Sequence, residues 1–178
     1  NNTMKKLITI FTLAVSTFTF SQNSTTLKSN DIVINPVALV LGAVNVEYER
    51  IISENSGIGV TTSFLLDDYI IDDNNGFSIT PYYNYYFGKK RANGFYIGGY
   101  CSINSGDVEK SYYVSSQYGG YTMYTTEKET NFGVGFKFGG KWVVKNDIVL
   151  EIGTGLGRNF GGENKVNTTG MLGIGKRF

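Results

Sequence analysis

Five charged residues have the types and spacing of a catalytic site or of an ion-pair network. Glu47 and Glu49 occupy alternate positions of one segment. Two carboxyl groups around one cleft are the acid and base of glycoside hydrolysis. The other three residues are Lys137, Lys141 and Glu151. Because lysines opposite the carboxylates favour pairing, we interpret all five as a charge network inside the protein that fixes strand register. A proton or ion path along them is the functional alternative.

The sequence contains no His, and this absence excludes several enzyme classes. A Ser-His-acid mechanism needs an imidazole base, so hydrolases of that type are excluded. Cys101 is the only cysteine, which leaves no intramolecular disulfide. We therefore predict a protein that is not an enzyme and that binds no cofactor.

The acidic segment DDYIIDD is the remaining candidate for a metal site. Its Asp67, Asp68, Asp72 and Asp73 offer oxygen ligands of the kind that Ca²⁺ prefers. Their spacing differs from that of an EF-hand loop, which needs D-x-D-x-D-G. We therefore predict a solvated acidic loop without a metal.

The stretch LEIGTGLGRNFGG, residues 150–162, is rich in glycine and could be a nucleotide-binding loop or a strand. A dinucleotide fingerprint needs G-x-G-x-x-G between a strand and a helix. Here the spacing is G-x-G-x-G, and no amphipathic helix follows. We interpret Gly153, Gly155 and Gly157 as the inward face of a strand in a narrow barrel, where space for side chains is short.

Runs in which large apolar residues alternate with small or polar ones recur between turn residues. They predict eight strands, at residues 33–41, 44–53, 57–66, 77–87, 95–105, 130–144, 148–160 and 170–178. Short links such as KND alternate with long ones such as GGENKVNTT. This organisation is typical of an all-β fold, the eight-stranded antiparallel up-and-down transmembrane β-barrel. Gly119 and Gly120 predict a hairpin turn at the tip of the longest link, where the fifth and sixth strands extend beyond the barrel.

The two faces of each predicted strand differ. One face is apolar, and in the sixth strand the other consists of Gly133, Gly135, Lys137, Gly139 and Lys141. Glycines on a water-facing surface would weaken a strand, so we expect the apolar face to point outward, against lipid. A soluble lipocalin-like barrel around an apolar ligand, with the faces reversed, is one alternative. A narrow pore is another alternative. The bulk of four inward tyrosines argues against it. These are Tyr82, Tyr86, Tyr96 and Tyr100.

The first residues have the layout of a secretory signal peptide. Met4, Lys5 and Lys6 precede the apolar run LITIFTLAVSTFTF, and small residues lead to an expected cleavage after Ser21. We expect residues 1–21 to be removed and residues 22–178 to form the barrel domain. The formal net charge is +1 without a basic block, so we predict no nucleic-acid partner.

The longest predicted link is rich in tyrosine. Tyrosine supplies large contact area at low entropic cost, so this link is a candidate surface for a protein partner. Alternatively, the tyrosines pack on one another or lie in the lipopolysaccharide layer. The residues are Tyr112, Tyr113, Tyr118, Tyr121 and Tyr124.

The closing segment GMLGIGKRF ends in Phe178 and resembles the C-terminal strand of outer-membrane barrels. Residues 34–60, INPVALVLGAVNVEYERIISENSGIGV, resemble the start of the small outer-membrane barrels of flavobacterial-type genomes, in the OmpX and OmpA barrel class. Lys176 departs from the pattern, which prefers an aromatic or apolar residue two positions before the end. The resemblance implies a bacterial outer-membrane location and an insertion signal at Phe178. It also implies contacts with outer-membrane lipid, lipopolysaccharide and the barrel-insertion machinery.

We therefore expect a non-enzymatic integral outer-membrane barrel whose lumen is plugged by side chains. Its role would be structural or interactive. It would act through its extracellular loops or as a subunit of a larger envelope complex.

Overall fold

The computed structural model describes residues 27–66, 76–116, 119–162 and 164–178. Over these residues the chain forms an antiparallel barrel in which each strand is bonded to the next, and the eighth closes onto the first. The strands are β1 (Asn30–Ile34), β2 (Ala43–Ile51), β3 (Ser56–Leu65), β4 (Phe77–Tyr86), β5 (Gly94–Ser116), β6 (Gly119–Val143), β7 (Ile148–Phe160) and β8 (Val166–Arg177). The predicted fold class, an all-β eight-stranded antiparallel barrel, is confirmed. The predicted signal peptide, residues 1–21, lies outside the described residues.

The outer wall of the barrel is apolar, because the large apolar side chains of the alternating strands point outward. Phe95, Phe136 and Leu156 are 69%, 73% and 61% exposed. The opposite face of each strand carries the buried polar and charged side chains. This arrangement is the reverse of a soluble barrel that encloses an apolar cavity.

Aromatic rings pack in pairs near both rims of this apolar wall. Phe95 and Trp142 meet edge to face at one rim, with ring centroids 5.8 Å apart. Phe132 and Phe160 pack at the other, at 6.4 Å. Phe132 and Trp142 are ten positions apart on β6, which is about 33 Å at 3.3 Å per residue. A strand tilt of about 40° reduces this to an apolar band about 25 Å tall.

Two ends of the barrel differ in their connections. Turns at residues 52–55, 87–93 and 144–147 join β2 to β3, β4 to β5 and β6 to β7, and they define the short-turn end. The last of these turns contains a 3₁₀ segment, Lys145–Asp147. The opposite end carries the long connection between β5 and β6, and we call it the hairpin end.

The β5–β6 hairpin protrudes from the barrel. From Gly106 to Ser116, β5 pairs with β6 and with no other strand of the described residues, over eleven register pairs or about 36 Å at 3.3 Å per residue. The extension of these strands beyond the wall agrees with the sequence. The predicted turn at Gly119 and Gly120 is wrong, because Ser116 pairs with Gly119 and only residues 117–118 separate the two strands.

The predicted first strand, residues 33–41, is also wrong. β1 ends at Ile34, and a one-turn helix, α1 (Pro36–Val40), follows. Pro36 has no backbone N–H to give to a sheet, and its fixed φ suits the first position of a helix. Asn35 caps this helix, since its Oδ1 accepts from the Ala38 N–H at 3.1 Å. At the other end of the chain, β8 begins at Val166 and not at the predicted residue 170.

No helix within the described ranges is long and apolar enough to cross a membrane.

Candidate functional site

Lys141 lies in the lumen with four carboxylates around it. Its Nζ is 2.9 Å from Glu49 Oε2 and 2.9 Å from Glu151 Oε2. Glu47 Oε1 is 3.2 Å away, and Asp31 Oδ2 is 3.9 Å away. All five of these residues are buried, with at most 2% of their surface exposed. The strand alternation produces this arrangement, because Lys141 and Glu151 are register partners on β6 and β7.

Lys137, four residues before Lys141 on the same face of β6, extends the network toward the hairpin end. Its Nζ donates to Glu47 Oε2 at 3.3 Å and lies 3.7 Å from the centre of the Tyr82 ring. Glu47 Oε2 also accepts from Thr61 Oγ1 at 3.1 Å. The lysine charge is thus offset by a carboxylate and by the face of an aromatic ring. The structure therefore brings all five predicted charged residues into one continuous cluster.

Three of the inward tyrosines complete the hydrogen bonding of these carboxylates. Tyr82 donates to Glu49 Oε2 at 3.0 Å, and Tyr86 donates to Glu49 Oε1 at 2.7 Å. Tyr96 donates to Glu151 Oε1 at 2.8 Å. Their rings occupy the cross-section of the barrel at the level of the charges. Hydrogen bonds to the charged oxygens offset part of the cost of removing them from water.

Arg177 forms a second ion pair, which the sequence analysis missed, at the short-turn end. Its Nε and Nη2 donate to Asp31 Oδ1 and Oδ2 at 2.7 Å and 2.8 Å, as a two-pronged pair. Its Nη1 and Nη2 also donate to the carbonyls of Arg91 and Ala92, at 2.8 Å and 2.9 Å. Asp31 and Arg177 are register partners across β1 and β8, so this pair joins the two strands that close the barrel.

Inward glycines supply the space that the tyrosines and carboxylates occupy. A Cβ on Gly153 would overlap the Tyr96 hydroxyl, and one on Gly57 would overlap the Glu49 carboxylate. Gly153, Gly155 and Gly157 lie in β7, at the predicted strand positions. Their role is close packing against the lumen side chains and not phosphate binding in a loop.

The geometry of the cluster limits what it can do chemically. Each carboxylate has a lysine or arginine within 4 Å, and most carboxylate oxygens also accept a hydrogen bond. A cavity of only about 10 Å³, room for about one water, reaches the cluster beside Glu47, Tyr96 and Lys137. Carboxylates fixed in this way are suited to holding strands together, since an acid–base pair needs a group free to exchange a proton with a substrate.

The predicted tyrosine surface is divided between the two faces of the β5–β6 hairpin. Tyr112 and Tyr121 share one face, which they form with Met123 and Val114 through direct cross-strand pairing. Tyr113 and Tyr124 point to the other face and are 73% and 70% exposed. The fifth predicted residue, Tyr118, lies outside the described residues. We call the set Tyr112, Val114, Tyr121 and Met123 the hairpin patch.

An ion pair lies next to the hairpin patch on the same face. Lys110 Nζ donates to Glu127 Oε2 at 2.7 Å. This hydrogen bond raises the pKa of Lys110 and lowers the pKa of Glu127. Both side chains stay charged at neutral pH and mark the polar edge of the patch.

Two predicted features remain, the chain terminus and the acidic loop. The Phe178 carbonyl accepts from the N–H groups of Ser29 and Asn30 at 3.1 Å and 3.0 Å, so the last residue is bonded to the start of β1. The acidic loop with Asp67, Asp68, Asp72 and Asp73 lies outside the described residues. In the part of the chain that the structure describes, no three His, Cys, Asp or Glu side chains are grouped so as to hold a metal ion.

Comparisons with known proteins place the sequence in a family. No curated protein matches it. Among solved structures, the N-terminal β-barrel domain of Pseudomonas aeruginosa OprF is 14% identical, with a TM-score of 0.42, over 85% of this chain and 98% of that one. The Yersinia pestis outer membrane protein Ail, solved in a phospholipid bilayer nanodisc, is 15% identical, with a TM-score of 0.46, over 85% and 100%. The family model described as "Protein of unknown function (DUF3575)" matches residues 7–170, and the chain belongs to this family.

Proposed function

We propose that the protein is a non-enzymatic integral barrel of the bacterial outer membrane. It is exported by a signal peptide in residues 1–21, and residues 22–178 form the barrel. The observation that carries the proposal is the apolar outer wall, with aromatic pairs at both rims and buried ion pairs inside. Such a surface is stable against hydrocarbon and unstable against water.

The barrel-insertion machinery and the lipids of the outer membrane are the partners that this location implies. Phe178 supplies the aromatic terminus of β8 that we propose as the insertion signal. Its backbone lies at the short-turn end, which in such barrels faces the periplasm. Lipopolysaccharide then surrounds the hairpin end.

The lumen in this proposal is plugged by side chains and does not conduct. The cluster around Lys141 and the rings of Tyr82, Tyr86 and Tyr96 support it, because an eight-stranded barrel leaves an interior that side chains can fill. We expect no conductance steps when the purified barrel is inserted into planar bilayers at neutral pH. Regular single-channel steps would contradict the plug and favour the narrow pore.

The interaction role rests on the β5–β6 hairpin, which extends about 36 Å beyond its neighbouring strands. Tyr112, Tyr121 and Met123 of the hairpin patch are 48%, 60% and 52% exposed. An exposed aromatic patch on a protruding two-stranded ribbon is suited to contact with a protein outside the cell. We therefore propose that the barrel holds the hairpin for a protein partner or for a larger envelope complex.

Labelling from outside the cell tests this orientation. In a Cys101→Ser background, Ser115→Cys near the hairpin tip should react with a 5 kDa polyethylene glycol maleimide on intact cells. Lys90→Cys, in the turn at residues 87–93, should react only after lysis, because it lies at the periplasmic end. Both positions are exposed, so reactivity differs through location alone. The reverse pattern, or labelling of both on intact cells, would contradict the proposed topology.

Membrane location is tested by fractionation and by gel mobility of boiled and unboiled samples. We expect the protein in the outer-membrane fraction, with a mobility shift on boiling that reports the folded barrel. A soluble periplasmic product without a shift would overturn the proposal.

A further inference from the structure

The barrel wall is incomplete between β8 and β2 at the hairpin end. β1 is short, and its pairing with β8 covers four positions and ends at Ile34 with Ile174. Among the described residues, the β8 segment 166–173 therefore has β7 on one side and no strand on the other. α1 lies beside this opening, near β2 and β8. A helix of one turn does not replace the missing ladder of backbone hydrogen bonds.

A cavity of about 180 Å³ lies at this opening, and we call it the vestibule. Ala43 and Asn45 line it from the β2 side, and Thr168, Thr169 and Gly170 line it from the β8 side. The vestibule is therefore bounded by both edges of the gap.

The vestibule is lined by neutral hydrogen-bonding groups. The polar lining residues are Asn45, Thr61, Ser63, Ser78, Thr80, Asn104, Asn167, Thr168 and Thr169, and none of the described residues that line it is charged. The side-chain amide and hydroxyl groups of this lining can form hydrogen bonds with the hydroxyl groups of a ligand. The lining thus favours an uncharged molecule with several hydroxyl groups.

The surface beside the opening is apolar. Val37, Leu39 and Val40 of α1 are 44%, 52% and 80% exposed, and Leu172 of β8 is 48% exposed. A molecule with its polar part in the vestibule could therefore lay a hydrocarbon chain on this surface. A neutral polar chamber beside an apolar outer surface fits an amphiphile, which has a polar head group and a hydrocarbon chain.

We propose that the vestibule binds the uncharged, hydroxyl-rich head group of a single-chain membrane amphiphile that enters sideways between β8 and β2. The volume is that of about six waters at about 30 Å³ each, enough for one sugar ring of a head group but not for its chain. The chain stays outside, along α1 and Leu172. This inference rests on the proposed membrane location.

The test titrates dodecyl maltoside into the folded barrel in zwitterionic lauryl dimethylamine oxide micelles, with ¹⁵N-labelled asparagine. We expect saturable shifts of the Asn45, Asn104 and Asn167 side-chain amides. Asn84, which bonds to Glu49 in the charge cluster, should not shift. Dodecylphosphocholine, with the same chain and a charged head group, should not reproduce the effect. A response to both detergents, or to neither, would overturn the proposal.

Asn45→Leu should weaken dodecyl maltoside binding about ten-fold, because it replaces a polar side chain of the vestibule lining by an apolar one. Asn30→Leu makes the same substitution at the short-turn end and should leave the affinity unchanged. Equal weakening by both variants would overturn the site.

Free maltose tests the route of entry. If it caused the same shifts as dodecyl maltoside, sideways access would be overturned and the ligand would be a soluble sugar. Fractionation tests membrane location separately, so the two failures are distinguishable.

Discussion

Lys141→Met is expected to lower the free energy of unfolding of the barrel by about 3–5 kcal/mol. The methionine fills a similar volume but leaves Glu49 and Glu151, each 2.9 Å from the lost ammonium, without their cation. Glu47 keeps Lys137 and loses less. Removing one partner of a buried ion pair is costly because the remaining charge stays out of water. Urea titration of the barrel in lipid vesicles, followed by gel mobility, measures the change.

Two further variants show whether the loss comes from the unpaired carboxylates. Lys145→Met makes the same substitution at an exposed position in a turn and should change stability by less than about 0.5 kcal/mol. Adding Glu151→Gln to Lys141→Met should recover part of the stability, because it removes one uncompensated charge. A Lys141→Met barrel as stable as the wild type would contradict the network. If adding Glu151→Gln did not reduce the loss of stability, the loss would come from packing and not from unpaired charge.

Strand positions could be predicted where the alternation is unbroken. β7 has the bounds that the sequence predicts, because its apolar residues alternate with glycine and polar residues from one turn to the next. The first strand could not be predicted from apolar content alone. Val37, Leu39 and Leu41 alternate as in a strand, but Pro36 and the Asn35 cap favour a helical turn there. Local backbone chemistry outweighed the hydrophobic pattern at this point.

The positions of the interior charges could be predicted from the sequence for the same reason. Lys137, Lys141 and Glu151 share the face of their strands with glycines, so the alternation of side chains along each strand is enough to place them inside. Asp31 and Arg177 also lie on the inward faces of their strands. Asp31, however, precedes the predicted first strand, and Arg177 lies near the end of the predicted last strand. Their pairing depends on which β1 residue meets which β8 residue. That register follows from closure of the whole barrel and not from any local pattern.

The gap between β8 and β2 is a consequence of the same closure. A wall strand from residues 33 to 41 would have covered β8 to its hairpin end, and the sequence predicted a complete wall. With β1 ending at Ile34, only the four pairs next to the short-turn end join the first and last strands. The barrel is therefore closed by a short seam, held by backbone hydrogen bonds and by the pair of Asp31 with Arg177.

Gly175→Ala is expected to open this seam. Gly175 pairs with Val33, and a Cβ on it would overlap the Ile32 carbonyl oxygen and lie 2.7 Å from Val33 Cα. These are backbone atoms, which cannot rotate away as a side chain can, so β1 must shift from β8. We expect a loss of about 3 kcal/mol or more, at the upper end of the overpacking range, and a smaller heat-modifiable fraction on unboiled gels.

Gly170→Ala is the matched control, since it makes the same substitution on the same strand where a Cβ has no neighbour within 4 Å. Both variants add one methyl group and similar strand propensity, so any difference between them reports space at the seam. We expect Gly170→Ala to fold like the wild type. If Gly175→Ala folded equally well, β1 would be able to move without loss of closure, and the four-pair seam would not be what holds the barrel shut. Because only this seam joins the first and last strands, the stability of the whole barrel should depend on a single added methyl group there.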